Sequence, residues 1–439
     1  MALTFRGGVH PDDRKMATAA KPIQRAPIPP RLILPIRQHI GAPCSPVVKA
    51  GETVKKGQVV AEAGGFVSAP IHAPTSGKVV QVAEQPHPVF GSCPAVVIES
   101  DGRDEWLEEP AARDWQQLGA AEIKDIIRQA GIVGMGGAAF PTHVKLSPPP
   151  DKKIDTFILN GAECEPYLTA DHRVMLEMPE KIITGIQIIM KVLGVDKAYI
   201  GIEENKPDAI KLLTEQCRGT GIEVVTLATK YPQGAEKNLI KAITGREVPS
   251  GGLPMDVGAV VQNAGTVVAV AEAVGRGVPL IERVVTVTGS CIAEPQNMLF
   301  RLGTTFEDAV AACGGFAVEP AKIIMGGPMM GIAQRTLSVP IIKGTSGILT
   351  LSAKEVAVGP ERPCIRCGRC VEACPMGLVP SMLSILAERG HYEVAKDEYD
   401  LLDCVECGSC VYTCPAKRNI VHYVKLAKAQ LAAKAKKQG

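Results

Sequence analysis

Eight of the fourteen cysteines fall in two short runs near the end of the chain. Each run reads C-x2-C-x2-C-x3-C-P, and the second repeats the first with Cys404 in the place of Cys364. This spacing is typical of bacterial 4Fe–4S sites, in which the fourth cysteine of each run ligates the cluster of the other run. The predicted ligands are Cys364, Cys367, Cys370 and Cys414 for one cluster, and Cys404, Cys407, Cys410 and Cys374 for the other.

Zinc is the alternative occupant of such cysteines, because zinc also binds four thiolates. Zinc motifs, however, pair two C-x2-C knuckles and do not use the longer run seen here. Between the runs, Met382, Leu383, Ile385 and Leu386 follow a helical spacing. We therefore expect a helical ferredoxin-like domain with two 4Fe–4S clusters at residues 355–425.

Composition limits the classes of partner and compartment. The chain has 48 basic and 46 acidic residues and only 4% aromatic residues, so a nucleic-acid partner is not expected. No apolar run reaches the roughly 18 residues of a membrane span. Charged residues such as Arg6 and Asp12 precede any apolar stretch, so no secretory signal is expected. We therefore expect the chain in the cytoplasm. In that compartment the cysteines are predicted to be ligands or buried thiols rather than disulfides.

The first hundred residues predict a strap and a small β domain. Residues 1–30 are rich in proline and are expected to be an extended strap. Residues 31–105 contain short β-type runs between Gly and Pro turns, which favours an all-β barrel-sandwich domain. The phrases KAGETVKKGQVVAEA and APTSGKVVQV resemble lipoyl and biotinyl carrier domains, but residues 64–71 carry no lysine for cofactor attachment. We therefore do not expect a carrier function.

Residues 115–280 read as an α/β domain with a glycine-rich loop. A helical pattern ends at Gly131, and IDTFILN, KAYIGIE and IEVVTLAT are predicted strands. The loop GIVGMGGAAF matches a relaxed dinucleotide fingerprint, but a helix precedes it where that fingerprint needs a strand. A Rossmann domain is therefore excluded, although the glycine backbone can still approach a phosphate closely.

Four motifs in this region carry a resemblance to a known family. GMGGAAFPTHVK, NGAECEP, YPQGAEKNLI and QNAGT are similar, in order and spacing, to the flavin-bearing subunit of respiratory complex I. That subunit has a non-Rossmann fold whose loops hold FMN and NADH in one cavity. With the β domain before these motifs and the cysteine runs after them, residues 1–425 resemble the RnfC family, the NADH-facing subunits of Rnf ferredoxin:NAD oxidoreductases.

The resemblance implies a multidomain α/β architecture. It comprises a barrel-sandwich domain, a complex I-like FMN domain, an SLBB β-grasp domain at 281–352 and the helical two-cluster domain. The β-grasp domain matches the phrases VVTVTG and TTFEDAVAAC. The last segment, 426–439, is expected to be a basic tail.

The resemblance also implies a set of cofactor contacts. Gly134, Gly136 and Gly137 would line the FMN phosphate, with Lys145 as its countercharge. The remaining implied FMN contacts are Asn160, Glu163, Tyr231, Gly234, Asn263 and Thr266. The implied NADH contacts are Phe140 beside the adenine, Glu165 beside the nicotinamide, and Glu236.

The pocket departs from complex I in having fewer charges. Met135, Ala162, Ala235 and Gly265 stand where complex I usually has charged residues. No catalytic side chain is expected, because FMN and the clusters supply the chemistry.

By the same resemblance, the chain would carry non-covalent FMN and two 4Fe–4S clusters, and exchange electrons between NAD(H) and other Rnf subunits. Those partners would include integral membrane subunits and a ferredoxin-type subunit. The chain would lie peripherally on the cytoplasmic side of the cell membrane. Two alternatives remain from the sequence. One is an NADH-dependent cobalamin reductase of the propanediol-utilisation type, against which the N-terminal barrel argues; the other is an electron-wiring scaffold without flavin.

Overall fold

The computed structural model describes residues 2–357 and 359–438. An N-terminal segment, residues 2–30, precedes four domains that follow one another along the chain. Most of this segment is extended, with turns at 16–20 and one short strand, β1 (Gln24–Arg25).

The barrel domain consists of two small antiparallel sheets packed on each other. One sheet has the order β2-β8-β7-β4 and the other β3-β5-β6. Leu34, Val60 and Ile98 are buried in its core, as expected for strands with one apolar face. Its strands are β2 (Arg31–Pro35), β3 (Ser45–Pro46), β4 (Thr53–Val54), β5 (Val59–Glu62), β6 (Ile71–His72), β7 (Gly77–His87) and β8 (Gly91–Ser100).

The α/β domain is built on a parallel sheet of order β11-β10-β9-β12. Its strands are β9 (Thr156–Gly161), β10 (Ala198–Glu203), β11 (Ile222–Leu227) and β12 (Ala259–Asn263). Its helices are α1 (Ala120–Gln129), α2 (Thr142–Lys145), α3 (Ala170–Glu177), α4 (Pro179–Leu193), α5 (Pro207–Gln216), α6 (Glu236–Thr244) and α7 (Ala264–Arg276). Because β9 and β12 are parallel neighbours, the loops that follow them meet at one edge of the sheet.

The β-grasp domain shares its sheet with the N-terminal segment. The sheet order is β1-β14-β13-β17-β15-β16, so β1 pairs in parallel with an edge strand of a domain more than 250 residues away. The domain comprises β13 (Glu282–Gly289), β14 (Gln296–Arg301), α8 (Phe306–Ala311), β15 (Lys322–Met325), β16 (Ile332–Gln334) and β17 (Gly347–Leu351). A short helix, α9 (Ala353–Val356), leads out of it.

The cysteine domain is helical, as the spacing between the two runs predicts. Its helices are α10 (Arg369–Glu372), α11 (Pro380–Glu388), α12 (Tyr392–Asp397), α13 (Ser409–Tyr412) and α14 (Ile420–Gln438). Helices α11 and α14 pack through a core that includes Leu383, Ala387 and Val424.

The end of the chain, expected to be a basic tail at 426–439, is helical over its described part. Helix α14 runs through the expected boundary without a break, and Val424 and Ala427, on either side of it, are fully buried. These apolar contacts hold the start of the basic segment against the cysteine domain. The side chains of Lys436 and Lys437, part of that prediction, lie outside the described residues. Over the ranges that the structure covers, no helix is both long and apolar enough to cross a membrane.

Candidate cofactor site

The eight cysteines line two separate cavities in the cysteine domain. Each cavity combines three cysteines of one run with the fourth cysteine of the other, because the two runs lie side by side. The first cavity is lined by Cys364, Cys367, Cys370 and Cys414. The second is lined by Cys374, Cys404, Cys407 and Cys410.

The backbone around both cavities repeats in detail. Arg366 and Glu406, two residues after the first cysteine of each run, adopt left-handed φ angles of 56° and 58°. This conformation turns each of their N–H groups onto the preceding cysteine, at 3.4 Å from Sγ of Cys364 and of Cys404. Four cysteine sulfurs, one of which accepts an N–H group in each cavity, suit a 4Fe–4S cluster, whose potential depends on such hydrogen bonds.

Burial affects the protonation of the free cysteines. It raises the pKa of Cys404 to about 11 and raises the pKa of Cys410 further still. Both are neutral thiols at pH 7 until metal binds, so cluster assembly must release protons.

In the described part of the chain, no three Cys, His, Asp or Glu side chains are arranged to hold a single ion. A cluster does not need this convergence, since each of its irons binds its own thiolate.

The two cavities differ in their surroundings. The second lies at a domain junction, where Tyr231 Oη donates a 2.7 Å hydrogen bond to the carbonyl of the buried Cys407. At the same junction, an added Cβ on Gly408 would lie 3.0 Å from the carbonyl oxygen of Met329 in the β-grasp domain. The first cavity is at the surface, where Cys367 is exposed and Ile365 is 67% exposed.

Two asparagines bring the α/β loops together. Asn160 and Asn263 are register partners at the carboxyl ends of β9 and β12. Asn160 Nδ2 donates to the carbonyl of Gly234 at 2.8 Å, which joins the NGAECEP and YPQGAEK loops. Asn263 Nδ2 donates to Asp171 at 2.7 Å, and its Oδ1 accepts from the N–H of Gly265 at the start of α7. The sheet edge therefore assembles three of the four motifs.

The glycine-rich loop lies against this edge. The N–H of Met135 donates to Oγ1 of the buried Thr266 at 2.8 Å. A Cβ on Gly136 would lie 3.1 Å from Nδ2 of Asn263, whereas one on Gly137, with φ of 94°, would meet nothing within 4 Å. Gly136 and Gly137 are exposed, while the N–H of Gly134 is bonded to the carbonyl of Phe140. The loop thus presents bare backbone that fits an approaching phosphate.

Lys145 and Glu236 form an ion pair with each other. Lys145 Nζ also donates to the carbonyl of Val261 at 2.7 Å. A residue expected at FMN and one expected at NADH therefore lie together, half-buried, beside β12.

The two glutamates of NGAECEP point to different places. The Glu163 carboxylate accepts from the N–H groups of Asp171 and His172, at 2.7 and 3.1 Å, and so caps the start of α3. The Glu165 carboxylate accepts from the N–H groups of Met329 and Met330, at 3.0 and 2.8 Å. Burial raises the pKa of Glu165 to about 6. Both carboxylates are thus occupied by backbone donors, and Glu165 links the loop to the β-grasp domain.

Sequence reasoning missed several buried charges at this site. Arg283 of β13 donates to the carbonyl of Met135 at 3.2 Å, and Lys206 donates to the carbonyl of Ala162 at 2.7 Å. Burial and the neighbouring Glu163 raise the pKa of Asp171 well above its usual range. These charged residues lie singly on elements far apart in the chain and form no motif. Their place at the site could therefore not be predicted from residue spacing.

Gln233 was also missed, although it lies within the YPQGAEK motif. It is fully buried, and neither polar atom of its amide has a partner among the described residues. Buried amides are normally satisfied, so a water molecule or a ligand atom is expected beside it.

The chain is similar over nearly its whole length to named proteins. It is 63% identical over 431 residues to the C subunit of the proton-translocating ferredoxin:NAD(+) oxidoreductase complex of Clostridium ljungdahlii, covering 98% of this chain and 94% of that protein. The chain belongs to the family of these C subunits, RnfC. It is also 49% identical over 438 residues to the C subunit of the Na(+)-translocating ferredoxin:NAD(+) oxidoreductase complex of Acetobacterium woodii, covering 99% and 98%.

Family models match this chain in the order of its domains. They are the RnfC barrel sandwich hybrid domain at 3–103, the Nuo51 FMN-binding domain at 127–272, the SLBB domain at 284–333 and the 4Fe-4S dicluster domain at 358–415. A solved NAD+-reducing [NiFe]-hydrogenase shares the fold, with a TM-score of 0.53 at 19% identity, over 73% of this chain and 64% of the hydrogenase chain.

These matches confirm the predicted family, the four-part fold class and the cofactors, FMN and two 4Fe–4S clusters. They remove both alternatives. The relatives that match nearly the whole chain, at 63% and 49% identity, are ferredoxin:NAD(+) oxidoreductase subunits and not cobalamin reductases. A scaffold without flavin does not fit the match to the FMN-binding domain.

Proposed function

We propose that this chain is the NAD(H)-linked electron-transfer subunit of a membrane-bound, ion-translocating ferredoxin:NAD+ oxidoreductase. Its relatives are named as C subunits of proton-translocating and Na(+)-translocating ferredoxin:NAD(+) oxidoreductase complexes. The observation that supports the role most strongly is the Tyr231–Cys407 hydrogen bond, since it joins the cofactor loops of the α/β domain to the second cysteine cavity. Short separations are what electron transfer between cofactors needs.

The proposed FMN site is the edge where β9 and β12 end. Gly136 and Gly137 would hold the phosphate with backbone N–H groups, and Gly134, whose own N–H is bonded to Phe140, would line it. Lys145 would supply the positive charge by exchanging Glu236 for the phosphate. The other proposed contacts are Asn160, Glu163, Tyr231, Gly234, Asn263 and Thr266. Bound FMN supplies the conversion between a hydride and single electrons.

The proposed NADH contacts surround the same edge. Phe140, half-buried beside the glycine loop, offers a ring for the adenine. Glu236 borders the site next to Lys145. Glu165 would act at the nicotinamide end, where its two N–H partners fix its position. The chain orients the dinucleotide, and none of these residues transfers a proton.

The two cavities differ in their exposure, which suggests the order in which electrons pass through the two clusters. The second adjoins the α/β domain, and the first, with its exposed Cys367, is open to solvent. We propose Cys374, Cys404, Cys407 and Cys410 as ligands of the cluster nearer FMN. The outer cluster would be held by Cys364, Cys367, Cys370 and Cys414, and would exchange electrons with a partner.

The surface around the outer cavity suggests the chemistry of that partner. Arg362, Arg366, Arg369 and Lys417 are exposed, and none of the four forms an ion pair with another described residue. Ile365 and Val371 add exposed apolar area between them. Unpaired positive charges around an apolar centre suit an acidic protein surface. We propose that the ferredoxin-type subunit of the complex docks here with an acidic face.

Charge reversal tests this docking face. In R366E/R369E, electron exchange with the ferredoxin-type subunit is expected to slow by about tenfold at low salt, because steering depends on opposite charges. Reduction of the variant's own FMN by NADH should not change. The matched control is R389E, an exposed arginine at the end of α11. Equal rates in R366E/R369E and R389E would remove the proposed surface.

We further propose peripheral attachment to the cytoplasmic side of the membrane through integral membrane subunits. The lysines of α14 contribute less to attachment at the membrane than their number suggests. Lys428 lies 2.9 Å from Glu406, and Lys434 pairs with Glu393. Charges neutralised within the domain attract anionic lipid weakly. Partner subunits are therefore the proposed anchor.

An anaerobic NADH titration of the full chain, with FMN and iron–sulfur clusters reconstituted, tests the proposed function. NADH should bleach the flavin absorbance and then produce the electron paramagnetic resonance signals of reduced clusters. A flavin that NADH leaves oxidised would refute the NAD(H)-linked role, whatever the state of the clusters.

A further inference from the structure

The N-terminal segment passes between the cofactor loops and the second cysteine cavity. The N–H of Gly8 donates to the carbonyl of Ala373 at 2.9 Å, one residue before a cluster ligand. Val9 and Tyr231 exchange backbone hydrogen bonds of 2.8 and 2.9 Å. Gly7 approaches so closely that a Cβ would lie 2.6 Å from the carbonyl oxygen of Cys374. The segment is therefore part of the junction and not a loose tether.

Lys15 is the residue of this segment that reaches the cofactor loops. Its side chain is buried, and Nζ donates to the carbonyls of Glu163 and Glu165 at 2.9 and 3.0 Å, and to that of Leu168. An ammonium group has three donors, and all three are used on one short stretch of backbone. Burial lowers the pKa of Lys15, and the nearby Glu163 carboxylate opposes that shift.

The loop that Lys15 holds is locally strained. Glu163 and Tyr167 adopt left-handed φ angles of 47° and 70°, which residues with a Cβ seldom take. In this conformation the carbonyls of residues 163, 165 and 168 point inward to one place. Three inward carbonyls without a cation would repel one another and lack partners, so the loop shape depends on the ammonium.

We propose that Lys15 is a positioning residue that holds the 162–168 loop in the shape needed to bind NADH. The inference rests on the proposed function. The loop carries Glu163 and Glu165, whose carboxylates are directed by the same backbone geometry onto α3 and onto the Met329–Met330 backbone. The N-terminal segment therefore completes a site whose other residues belong to domains much later in the chain.

The test compares K15M and K15R with K21M in the full, reconstituted chain. Lys21 is a matched control, because it lies in the same segment and donates to the carbonyl of Pro295, away from the loop. With ferricyanide as electron acceptor, K15M is expected to raise KM for NADH by about tenfold while kcat changes less than about threefold. K15R should recover part of the affinity, and K21M should match the wild-type protein.

Amide hydrogen exchange gives a second readout that does not depend on NADH. Residues 162–168 should exchange at least about tenfold faster in K15M than in K21M, with FMN content and both cluster signals retained. A KM for NADH within about twofold of wild type in K15M overturns the proposal, whether or not exchange changes. If NADH fails to reduce even the wild-type protein, the proposed function fails, and exchange rates equal in K15M and K21M then overturn the role of Lys15 as well.

Discussion

Replacing Cys374 with serine is expected to remove the cluster of the second run and to leave the cluster of the first run in place. Cys374 belongs to the first run in sequence, but it lines the cavity of Cys404, Cys407 and Cys410. A serine oxygen is a poor substitute for a thiolate on iron, so iron content should fall from about eight to about four per chain. Electron transfer from NADH to the partner should then fall to background.

Electron paramagnetic resonance of the reduced protein distinguishes the two clusters. C414S is the reciprocal variant, because Cys414 lines the other cavity, and it should remove the first-run cluster only. C93S is the matched control, since Cys93 is buried in the barrel domain far along the chain from both runs. Loss of the first-run signal in C374S, with the second-run signal intact, would show that each run holds its own cluster.

The second large effect is expected from G136V, which should lose FMN. A Cβ added at this position would lie 3.1 Å from Asn263 Nδ2. Valine adds two further methyl groups where bare backbone faces the proposed phosphate. The methyl groups would keep the phosphate away from the backbone N–H groups of the loop. A hydrogen bond to a charged group contributes about 1.5–3 kcal/mol, so losing one corresponds to a loss of roughly 10- to 150-fold in affinity.

Flavin content after gel filtration measures the effect, and both cluster signals should survive in G136V. The control is G275A, which adds a Cβ in α7 where nothing lies within 4 Å. If G136V retains FMN as well as G275A does, the glycine loop is not the phosphate site.

The sequence predicted the parts of this site whose signal is local. The cysteine spacing places the eight ligands within 51 positions, from Cys364 to Cys414, and ferredoxin ligation supplies the crossing between runs. Gly136 and Asn263 were accessible because they lie in motifs whose order resembles a known flavin fold. These features can be recognised in the sequence because each depends on residues that are neighbours in the chain.

What the sequence could not show depends on packing between distant elements. Lys15 lies 148 positions from Glu163, and nothing in the spacing around it differs from an exposed lysine. Arg283 likewise reaches Met135 only because β13 packs behind the glycine loop. The expected position of Glu165 was incomplete for the same reason, since its N–H partners come from the β-grasp domain.

The end of the chain is a further feature with a local signal. Net positive charge suggested a tail, yet the composition of LAKAQLAAKAKKQ, with its Ala, Leu, Lys and Gln, strongly favours a helix. Ala427 is fully buried and Leu431 packs at the edge of the same core. Helix propensity and net charge describe the same segment, which is a basic helix packed on the cysteine domain.

In the proposed route, electrons pass between NAD(H) and the outer cluster by way of FMN and the second-run cluster. Rapid mixing of NADH with reconstituted wild-type, G136V and C374S proteins, followed by freeze-quench electron paramagnetic resonance, tests it most directly. Both clusters should be reduced in wild type and neither in G136V, while C374S should reduce its FMN and leave the first-run cluster oxidised. Fast reduction of the first-run cluster in C374S, or of either cluster in G136V lacking FMN, would contradict it.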